Sequence, residues 1–328
     1  MTQFLRLQKM WYEIAERKRI LFIVLVGAFL LLIFWSNKET LEDFLLFKIT
    51  KNETFEQPNL KKYYINLRPF RIWQVEDLEI KAKAAVSVEV AKTGQKKFLF
   101  KKNARKTLPI ASLTKLMTAL IVLENYDLDQ TVVISEKAAT IEGDINNLRV
   151  GERFYVKDLL YSLLMESNNA TAQALAEIMG EKEFVKLMNL KAKEMNLKNT
   201  YFSNPTGLDP DDPKVVPNYS SAEDLITLAF HLLKKPLIWE ISRTKEFELY
   251  ETNGVFHHKI ENNNELLGTD LKIFGGKTGW TPMAGGCLLL ILENPKNDTL
   301  LINVILGSEN RFEEMKKMID WVYRAYLW

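Results

Sequence analysis

The chain has 328 residues, a length that suits about two domains. Its 44 Lys and Arg residues and 42 Asp and Glu residues leave a formal net charge of +2, so the chain lacks the basic excess typical of nucleic-acid binding proteins. Hydrophobic residues make up 47% of the sequence and charged residues 26%, which excludes a wholly disordered or fibrous chain. One cysteine, Cys287, and three histidines exclude a disulfide framework and a Cys/His metal cluster. We therefore expect no metal and no cofactor.

An uncharged apolar run occupies residues 20–35. As a helix, it approaches the thickness of the bilayer hydrocarbon core, although it is slightly short. The alternative is a cleaved secretory signal, whose apolar region ends at a site of small residues. This run ends instead at Phe34 and Trp35, and no Ala-x-Ala-like site follows. We therefore predict an uncleaved transmembrane anchor and keep the cleaved signal as the alternative.

Charges on the two sides of the run predict its orientation. Arg17, Lys18 and Arg19 directly precede it, whereas the residues that follow mix one lysine with several acidic residues. By the positive-inside rule, residues 1–19 lie in the cytoplasm and everything after Trp35 lies outside the membrane. The sequence thus predicts a single-pass protein of the cell membrane with an extracytoplasmic domain.

The remaining chain divides into two parts. Residues 36–81 show no sustained hydrophobic period and include two prolines, which favours a stem or an irregular packing segment. Residues 82–328 are predicted to form one folded domain, which begins with two strands, 84–90 and 97–100, joined by a turn. The predicted helices that follow cover residues 112–124, 156–165, 169–179, 182–195 and 221–233. Strands are then predicted at 246–252, 271–274, 287–292 and 300–306, before a final helix over about 309–326. Strands at both ends of a helical block predict an α/β fold of the α+β type, in which the chain termini build one antiparallel sheet flanked by helices, with a helical insertion.

Three short motifs carry chemistry, and each occurs twice. A Ser-x-x-Lys on a helix places a hydroxyl and an amine one turn apart on the same face, where the amine can take the proton of the hydroxyl. The copies are Ser112/Lys115 and Ser242/Lys245 for Ser-x-x-Lys, 167–169 and 308–310 for Ser-x-Asn, and 92–94 and 277–279 for Lys-Thr-Gly. Because every pattern has a second copy, no motif is informative alone.

Order and setting separate the copies. Ser112 with Lys115 opens a helix, Ser167 with Asn169 follows in the helical block, and Lys277 begins the last motif on a late strand. This is the order of the Ser-x-x-Lys, Ser-x-Asn and Lys-Thr-Gly set of acyl-enzyme forming serine enzymes. The second copies have structural interpretations: Ser242 leads into strand-like residues and not a helix, Lys92 lies in a hairpin turn, and Ser308 follows the last strand.

The sequence around the ordered motifs resembles that of a known family, the serine D-alanyl-D-alanine carboxypeptidases among the low-molecular-weight penicillin-binding proteins. The matching segments are LPIASLTKLMTALIVLE around Ser112, SLLMESNNATAQALAE around Ser167, NTYFSNPTGL from Asn199 to Leu208, and GGKTGWTPMAGGCLL from Gly275 to Leu289. The resemblance runs from about Ala84 to the end and implies a β-lactamase/transpeptidase-like fold for residues 82–328. One departure is Ala170, which stands where the family usually has an acidic residue.

The chemistry of acyl transfer predicts a role for each of the motif residues. A Ser hydroxyl needs a base, and a lysine is a base near neutral pH only if its charged form is disfavoured. Lys115 is predicted on a buried helix, and the ammonium of Lys277 nearby would lower its pKa by like-charge repulsion. Ser112 is therefore the expected nucleophile and Lys115 its base. The resemblance implies that Ser167 relays the proton between Lys115 and the leaving amine, and that Asn169 holds a substrate backbone carbonyl.

The late strand is expected to bind substrate. Lys277 and Thr278 offer a cation and a hydroxyl to a substrate that ends in a free carboxylate. Gly279, with the two glycines before Lys277, would let an extended peptide approach the strand closely and add to the sheet. By resemblance, the backbone N–H groups of Ser112 and Trp280 would form the oxyanion hole.

The resemblance implies a membrane-anchored serine D-Ala-D-Ala carboxypeptidase that trims peptidoglycan pentapeptides through an acyl-enzyme on Ser112. β-Lactam antibiotics would then be covalent inhibitors. A D,D-endopeptidase uses the same chemistry and stays an alternative. A β-lactamase needs fast deacylation, in one class by a Glu-x-x-Leu-Asn glutamate, and the nearest match at Glu194 lacks the Asn. A non-catalytic peptidoglycan-binding protein is the remaining alternative, and a Ser-His-Asp triad is disfavoured because the three histidines lack such partners.

Overall fold

A computed structural model of the chain describes residues 69–143 and 147–328. The predicted cytoplasmic segment 1–19, the predicted anchor 20–35 and most of the predicted stem 36–81 lie outside the described residues. Within the described ranges, no helix is long and apolar enough to cross a membrane.

The described residues form strands and helices in the predicted sequence of blocks. In chain order, the strands are β1 (Phe70–Arg71), β2 (Ala84–Val90), β3 (Lys96–Lys102), β4 (Leu108–Pro109), β5 (Thr131–Val133), β6 (Arg153–Tyr155), β7 (Tyr219–Ser220), β8 (Glu246–Tyr250), β9 (Phe256–Glu261), β10 (Ile273–Thr281), β11 (Gly285–Glu293), β12 (Leu300–Ser308) and β13 (Tyr326–Leu327). The α-helices are α1 (Lys115–Asn125), α2 (Glu136–Ala139), α3 (Val156–Tyr161), α4 (Asn169–Glu177), α5 (Glu181–Glu194), α6 (Ala222–Leu232), α7 (Pro236–Arg243) and α8 (Arg311–Ala325). Two 3-10 turns, Ala111–Thr114 and Glu265–Gly268, and a π-helical segment, Ser162–Glu166, complete the set.

The main sheet is antiparallel and has the strand order β10-β11-β12-β2-β3. Strands β2 and β3 come from the beginning of the folded domain and β10, β11 and β12 from its end, with α1 to α7 between them in sequence. The predicted α+β architecture is therefore confirmed. All seven residues of β2 are buried, as expected for a strand covered on both faces. Strand β10 forms one edge of this sheet.

Residues 74–325 form one compact unit, and residues 69–73 belong with residues 326–328 in a second one. In the small unit, β1 pairs with β13, and Phe70 lies opposite Leu327. In the larger unit, the indole of Trp321 on α8 packs edge-to-face on Phe100 of β3, with ring centroids 5.6 Å apart. Trp321 thus packs on the sheet.

The long buried helix predicted from Ser112 is divided in two. Its first residues form the 3-10 turn Ala111–Thr114, and α1 begins only at Lys115. The residues from Lys115 to Val122 are all buried, as the apolar pattern indicated. The predicted cap of α6 is also present, because Ser221 Oγ accepts a hydrogen bond from the backbone N–H of Asp224 at 3.1 Å.

Ser242 precedes strand β8 as expected, but the expectation that it lies outside a helix was wrong. Ser242 lies in α7, which starts at Pro236 and is buried along the face that carries Trp239. The helix is anchored by the indole N–H of Trp239, which donates to the carbonyl oxygen of Leu232 at 2.9 Å. A proline at the first helical position and one apolar face explain why so short a segment is helical.

Candidate active site

Ser112 and Lys115 meet at the junction between the first 3-10 turn and α1. Lys115 Nζ lies 2.8 Å from Ser112 Oγ, and the lysine side chain is fully buried. The same nitrogen donates to Asn169 Oδ1 at 2.6 Å and to the backbone oxygen of Thr206 at 2.7 Å. Asn169 of the Ser-x-Asn motif therefore contacts the Ser-x-x-Lys motif through the amine of Lys115.

A neutral amine can satisfy the partners of Lys115. The oxygens of Thr206 and Asn169 can only accept, and the amide of Asn169 is oriented because its Nδ2 donates to the carbonyl oxygen of Glu142 at 2.9 Å. Two N–H groups of a neutral amine satisfy these two oxygens, and the lone pair then faces the hydroxyl of Ser112. Burial, and secondly the charge of Lys277, hold the pKa of Lys115 well below its usual range. Like-charge repulsion was expected from the sequence, but burial contributes more.

Ser167 occupies a left-handed corner between the π-helical segment and α4. Its φ angle is +65°, in a region that residues other than glycine rarely adopt. Its Oγ is buried and has no hydrogen-bond partner among the described residues, and the residue lines the same cleft as Ser112. A buried hydroxyl without a partner at a cleft is available to a bound substrate.

The Lys-Thr-Gly motif lies on edge strand β10. Lys277 is 1% exposed, and burial, aided by the charge of Arg311, lowers its pKa to about 7. Thr278 Oγ1 donates to Asn263 Oδ1 at 2.6 Å, so the hydroxyl expected to face substrate has a protein partner here. The indole of Trp280 is 59% exposed at the rim of the cleft.

Glycines bring the motif strand against other parts of the protein. A Cβ at Gly279 would lie 3.0 Å from the backbone nitrogen of Ser112, so this glycine lets the strand contact the nucleophile turn. A Cβ at Gly275 would lie 2.7 Å from the ring of Trp239, and one at Gly276 would lie 2.8 Å from the carbonyl oxygen of Leu289. The first two glycines thus accommodate the protein's own packing, whereas the sequence suggested that they admit a peptide.

The turn of residues 204–207 packs against the 3-10 turn that carries the nucleophile. Asn204 Oδ1 accepts hydrogen bonds from the backbone N–H groups of Thr206 at 3.1 Å and Gly207 at 2.7 Å. Gly207 has a φ of +88°, and a Cβ there would lie 2.0 Å from the carbonyl oxygen of Ala111. This turn also supplies the Thr206 oxygen to Lys115, so its role is to position the site.

A cleft of about 400 Å³ joins the motifs. Its lining includes Ser112, Ser167, Asn169, Thr278, Gly279 and Trp280. Lys115 and Lys277 lie buried behind this surface. Strand β10 borders the cleft along the free edge of the sheet, where an extended peptide can add.

The sequence did not single out three polar residues of the cleft, Glu166, Asn263 and Arg311. Arg311 begins α8, and its Nε is buried without a hydrogen-bond partner among the described residues. No sequence motif predicts that Arg311 lies in the cleft, because its position depends on how α8 packs on the sheet. Ala170, by contrast, is buried in α4, so no carboxylate follows the Ser-x-Asn motif.

The two histidines of β9 are mostly buried and have acidic neighbours. The side chains of His257 and His258 are only 12% and 20% exposed and lie against Glu152 and Glu166. Nothing in the described ranges groups three His, Cys, Asp or Glu side chains in a way that could hold a metal ion.

Comparisons with known proteins agree with this geometry. The family described as D-alanyl-D-alanine carboxypeptidase matches residues 72–310. D-alanyl-D-alanine carboxypeptidase DacF of Bacillus subtilis is 36% identical over 264 residues, which cover 77% of this chain and 65% of that protein. A D-alanyl-D-alanine endopeptidase of Escherichia coli is 31% identical over 245 residues, 73% of this chain and 77% of its own length.

Solved structures show the same fold. The Streptomyces K15 DD-transpeptidase superposes with a TM-score of 0.68 at 26% identity and covers 76% of this chain and all of its own. Penicillin-binding protein D2 of Listeria monocytogenes, in its ampicillin-bound form, gives a TM-score of 0.64 at 28% identity over 76% of this chain and all of its own. The predicted transpeptidase-like fold of the domain is thereby confirmed. The matched segment, its ordered motifs and this fold establish that the chain belongs to the D-alanyl-D-alanine carboxypeptidase family.

Proposed function

We propose that this protein is a serine carboxypeptidase that removes the terminal D-alanine from peptidoglycan stem peptides. The observation that carries the proposal is the contact of a buried lysine with Ser112, because the other two partners of Lys115 leave its lone pair facing the hydroxyl. A nucleophile with an adjacent uncharged base, on a cleft with an edge strand, fits acyl transfer to an extended peptide.

Acylation follows from the positions of these groups. Ser112 Oγ attacks the carbonyl carbon of the penultimate D-alanine while Lys115 takes the hydroxyl proton. The backbone N–H groups of Ser112 and Trp280 stabilise the oxyanion. Ser167 Oγ passes a proton to the leaving nitrogen and regains one from Lys115, which releases D-alanine and leaves an ester on Ser112. Water then hydrolyses the ester, with Lys115 again as the base.

Recognition of the substrate uses the charge of the cleft. The terminal carboxylate faces Arg311, whose Nε is buried without a partner in the described part of the chain, with Lys277 behind it. Thr278 adds a hydroxyl if it rotates away from Asn263. Asn169 has one amide hydrogen bonded to Glu142, and its other hydrogen can donate to a substrate backbone carbonyl.

Endopeptidase action on cross-linked peptides is a second candidate. Relatives named D-alanyl-D-alanine endopeptidase, from Escherichia coli and Pseudomonas aeruginosa, align over 77% and 73% of their own lengths, more than the 65% of DacF. The bond cleaved in a cross-link also follows a D-alanine carbonyl, so the same catalytic groups apply. The difference lies in the acceptor chain that the cleft must admit.

We further propose that residues 20–35 anchor the protein in the cell membrane with the catalytic domain outside. The support is the length of the apolar run and the basic residues that precede it. N-terminal sequencing of the membrane-extracted protein tests this: the intact N-terminus supports an anchor, whereas a new N-terminus near Lys38 contradicts it.

Product analysis separates the two candidate activities. The purified protein is incubated with a monomeric stem pentapeptide and, separately, with a cross-linked dimer, and the released products are identified by mass spectrometry. A carboxypeptidase releases D-alanine from the pentapeptide. Cleavage of the dimer alone would assign the endopeptidase activity, and no cleavage of either substrate would contradict the proposal.

A further inference from the structure

A buried carboxylate lies directly behind the Ser167 corner. Glu166 ends the π-helical segment, and its side chain is only 5% exposed. Its Oε1 accepts hydrogen bonds from Ser162 Oγ at 2.7 Å and from Asn168 Nδ2 at 3.3 Å, and its Oε2 lies 3.2 Å from His258 Nε2. Glu166 thus joins the residues on both sides of the corner to strand β9.

The donor and the acceptor of each hydrogen bond around the Ser167 corner can be assigned. Asn168 Oδ1 caps α4 by accepting from the backbone N–H of Thr171 at 3.1 Å, so its Nδ2 is the group that faces Glu166. Ser162 has one hydroxyl hydrogen and gives it to Glu166, so the Thr171 hydroxyl at 2.8 Å must donate to Ser162. Oε1 of Glu166 therefore accepts from Asn168 and from Ser162, and Ser162 in turn accepts from Thr171.

The contact with His258 is a hydrogen bond when the Nε2 of that histidine carries the hydrogen. The Nε2–H group then donates to Oε2 of Glu166, across 3.2 Å. Asn147 Nδ2 also lies 2.9 Å from His258 Nε2.

Further contacts hold the far side of His258. Its Nδ1 is 2.5 Å from Nδ1 of His257, whose Nε2 lies 3.2 Å from a carboxylate oxygen of Glu152. The ring of Phe154 covers His257 edge-on at 5.3 Å. His258 is thus held between Glu166 and His257.

We propose that Glu166 is a positioning residue for Ser167 and that it holds the corner through its contacts with Ser162, Asn168 and His258. This inference rests on the proposed function, in which Ser167 passes the proton to the leaving amine. Ser167 Oγ has no protein partner among the described residues, and its backbone is left-handed, so the neighbouring contacts must fix its direction. When these contacts are lost, the hydroxyl is misplaced and turnover falls.

Two substitutions at one position separate the parts of the proposal. Glu166→Gln keeps an oxygen for Ser162 and Asn168, and its amide N–H can donate to His258 Nε2. We expect it to retain most of the wild-type kcat. Glu166→Ala removes all three contacts, and we expect kcat to fall about a hundredfold with KM nearly unchanged, because the proton carrier is misplaced.

Glu177→Ala is the matched control. This glutamate ends α4 and accepts hydrogen bonds from Ser135 Oγ at 2.6 Å and Gln173 Nε2 at 2.8 Å, but it does not line the cleft. It should leave kcat and KM unchanged, although it removes a comparable set of contacts. A thermal melt of each variant shows that it is folded at the assay temperature.

The test measures kcat and KM for D-alanine release from a stem pentapeptide by the full chain. Wild-type kcat in Glu166→Ala would overturn the positioning role. A kcat in Glu166→Gln as low as that in Glu166→Ala would also overturn it, because glutamine keeps the three contacts. Penicillin labelling of the wild type, measured alongside, distinguishes these failures from failure of the proposed function, in which no variant is labelled.

Discussion

Substitution of Gly207 by alanine should damage both the stability and the chemistry of the site. Gly207 lies in the turn that supports the nucleophile and has a φ of +88°. An added Cβ would lie 2.0 Å from the carbonyl oxygen of Ala111 and 3.0 Å from the backbone nitrogen of Ser112. Both neighbours are backbone atoms, so the overlap is relieved only if the 3-10 turn that carries Ser112 moves.

Gly254 provides a control for the backbone conformation alone. It lies in the turn between β8 and β9 with a φ of +85°, and an added Cβ there would meet no atom within 4 Å. Gly254→Ala should therefore cost only the left-handed conformation, about 1 to 2 kcal/mol. Gly207→Ala carries the same conformational cost and a backbone overlap, so we expect a total above about 4 kcal/mol.

Two assays on the same protein samples test this comparison. Chemical denaturation gives the free energy of unfolding, and the rate of labelling by a fluorescent penicillin gives the acylation rate. A displacement of about 1 Å at the nucleophile predicts labelling about a hundredfold slower in Gly207→Ala and unchanged in Gly254→Ala. Equal stability of the two variants, with wild-type labelling in both, would refute the structural reasoning.

Three further predictions concern charged groups. Lys115→Arg should abolish acylation because a guanidinium stays protonated and cannot act as the base. Lys277→Arg keeps a carboxylate partner and should retain part of the peptidase activity, and equal losses in both variants would contradict separate roles. Asp209 accepts from Thr281 Oγ1 at 2.8 Å and the backbone N–H of Met283 at 2.9 Å, so Asp209→Asn, which has one acceptor oxygen, should loosen the rim of the cleft and slow labelling about tenfold, and an unchanged rate would argue against this clamp. Burial lowers the pKa of Lys277 from 10.5 to about 7, so between these pH values the unfolded chain binds more protons than the folded one. The free energy of unfolding should therefore rise with pH across this window, and Lys277→Met should flatten the rise in a denaturation series.

The sequence predicted the parts of the fold that depend on local pattern. Strand β2 has the predicted bounds, and α6 begins at its predicted Ser221 cap. The order of the three motifs was sufficient to identify the set that meets in one cleft, because order in the chain reflects which element carries each motif. Helix α7 was missed because its eight residues are helical mainly through the burial of Trp239 and the contact of Ser242 with β10.

Residues that act through long-range contacts were not predictable in this way. Glu166 and His258 are 92 positions apart, and neither belongs to a motif. Arg311 reaches the cleft because α8 packs beside β11, a relation that no local periodicity encodes. The role of Gly207 likewise follows from its approach to Ala111, a contact between residues 96 positions apart.

The most direct test of the account is to identify the residue that penicillin acylates. The purified protein is incubated with benzylpenicillin and digested, and the peptides are analysed by mass spectrometry, with Ser112→Ala and Ser242→Ala treated in parallel. Ser242 accepts a hydrogen bond from the backbone N–H of Gly276 at 3.1 Å, so its loss should lower stability and leave the nucleophile intact. We predict an adduct on the peptide that contains Ser112 in the wild type and in Ser242→Ala, and none in Ser112→Ala. An adduct that persists in Ser112→Ala, or a wild-type protein without any adduct, would contradict the assignment of Ser112 as the nucleophile.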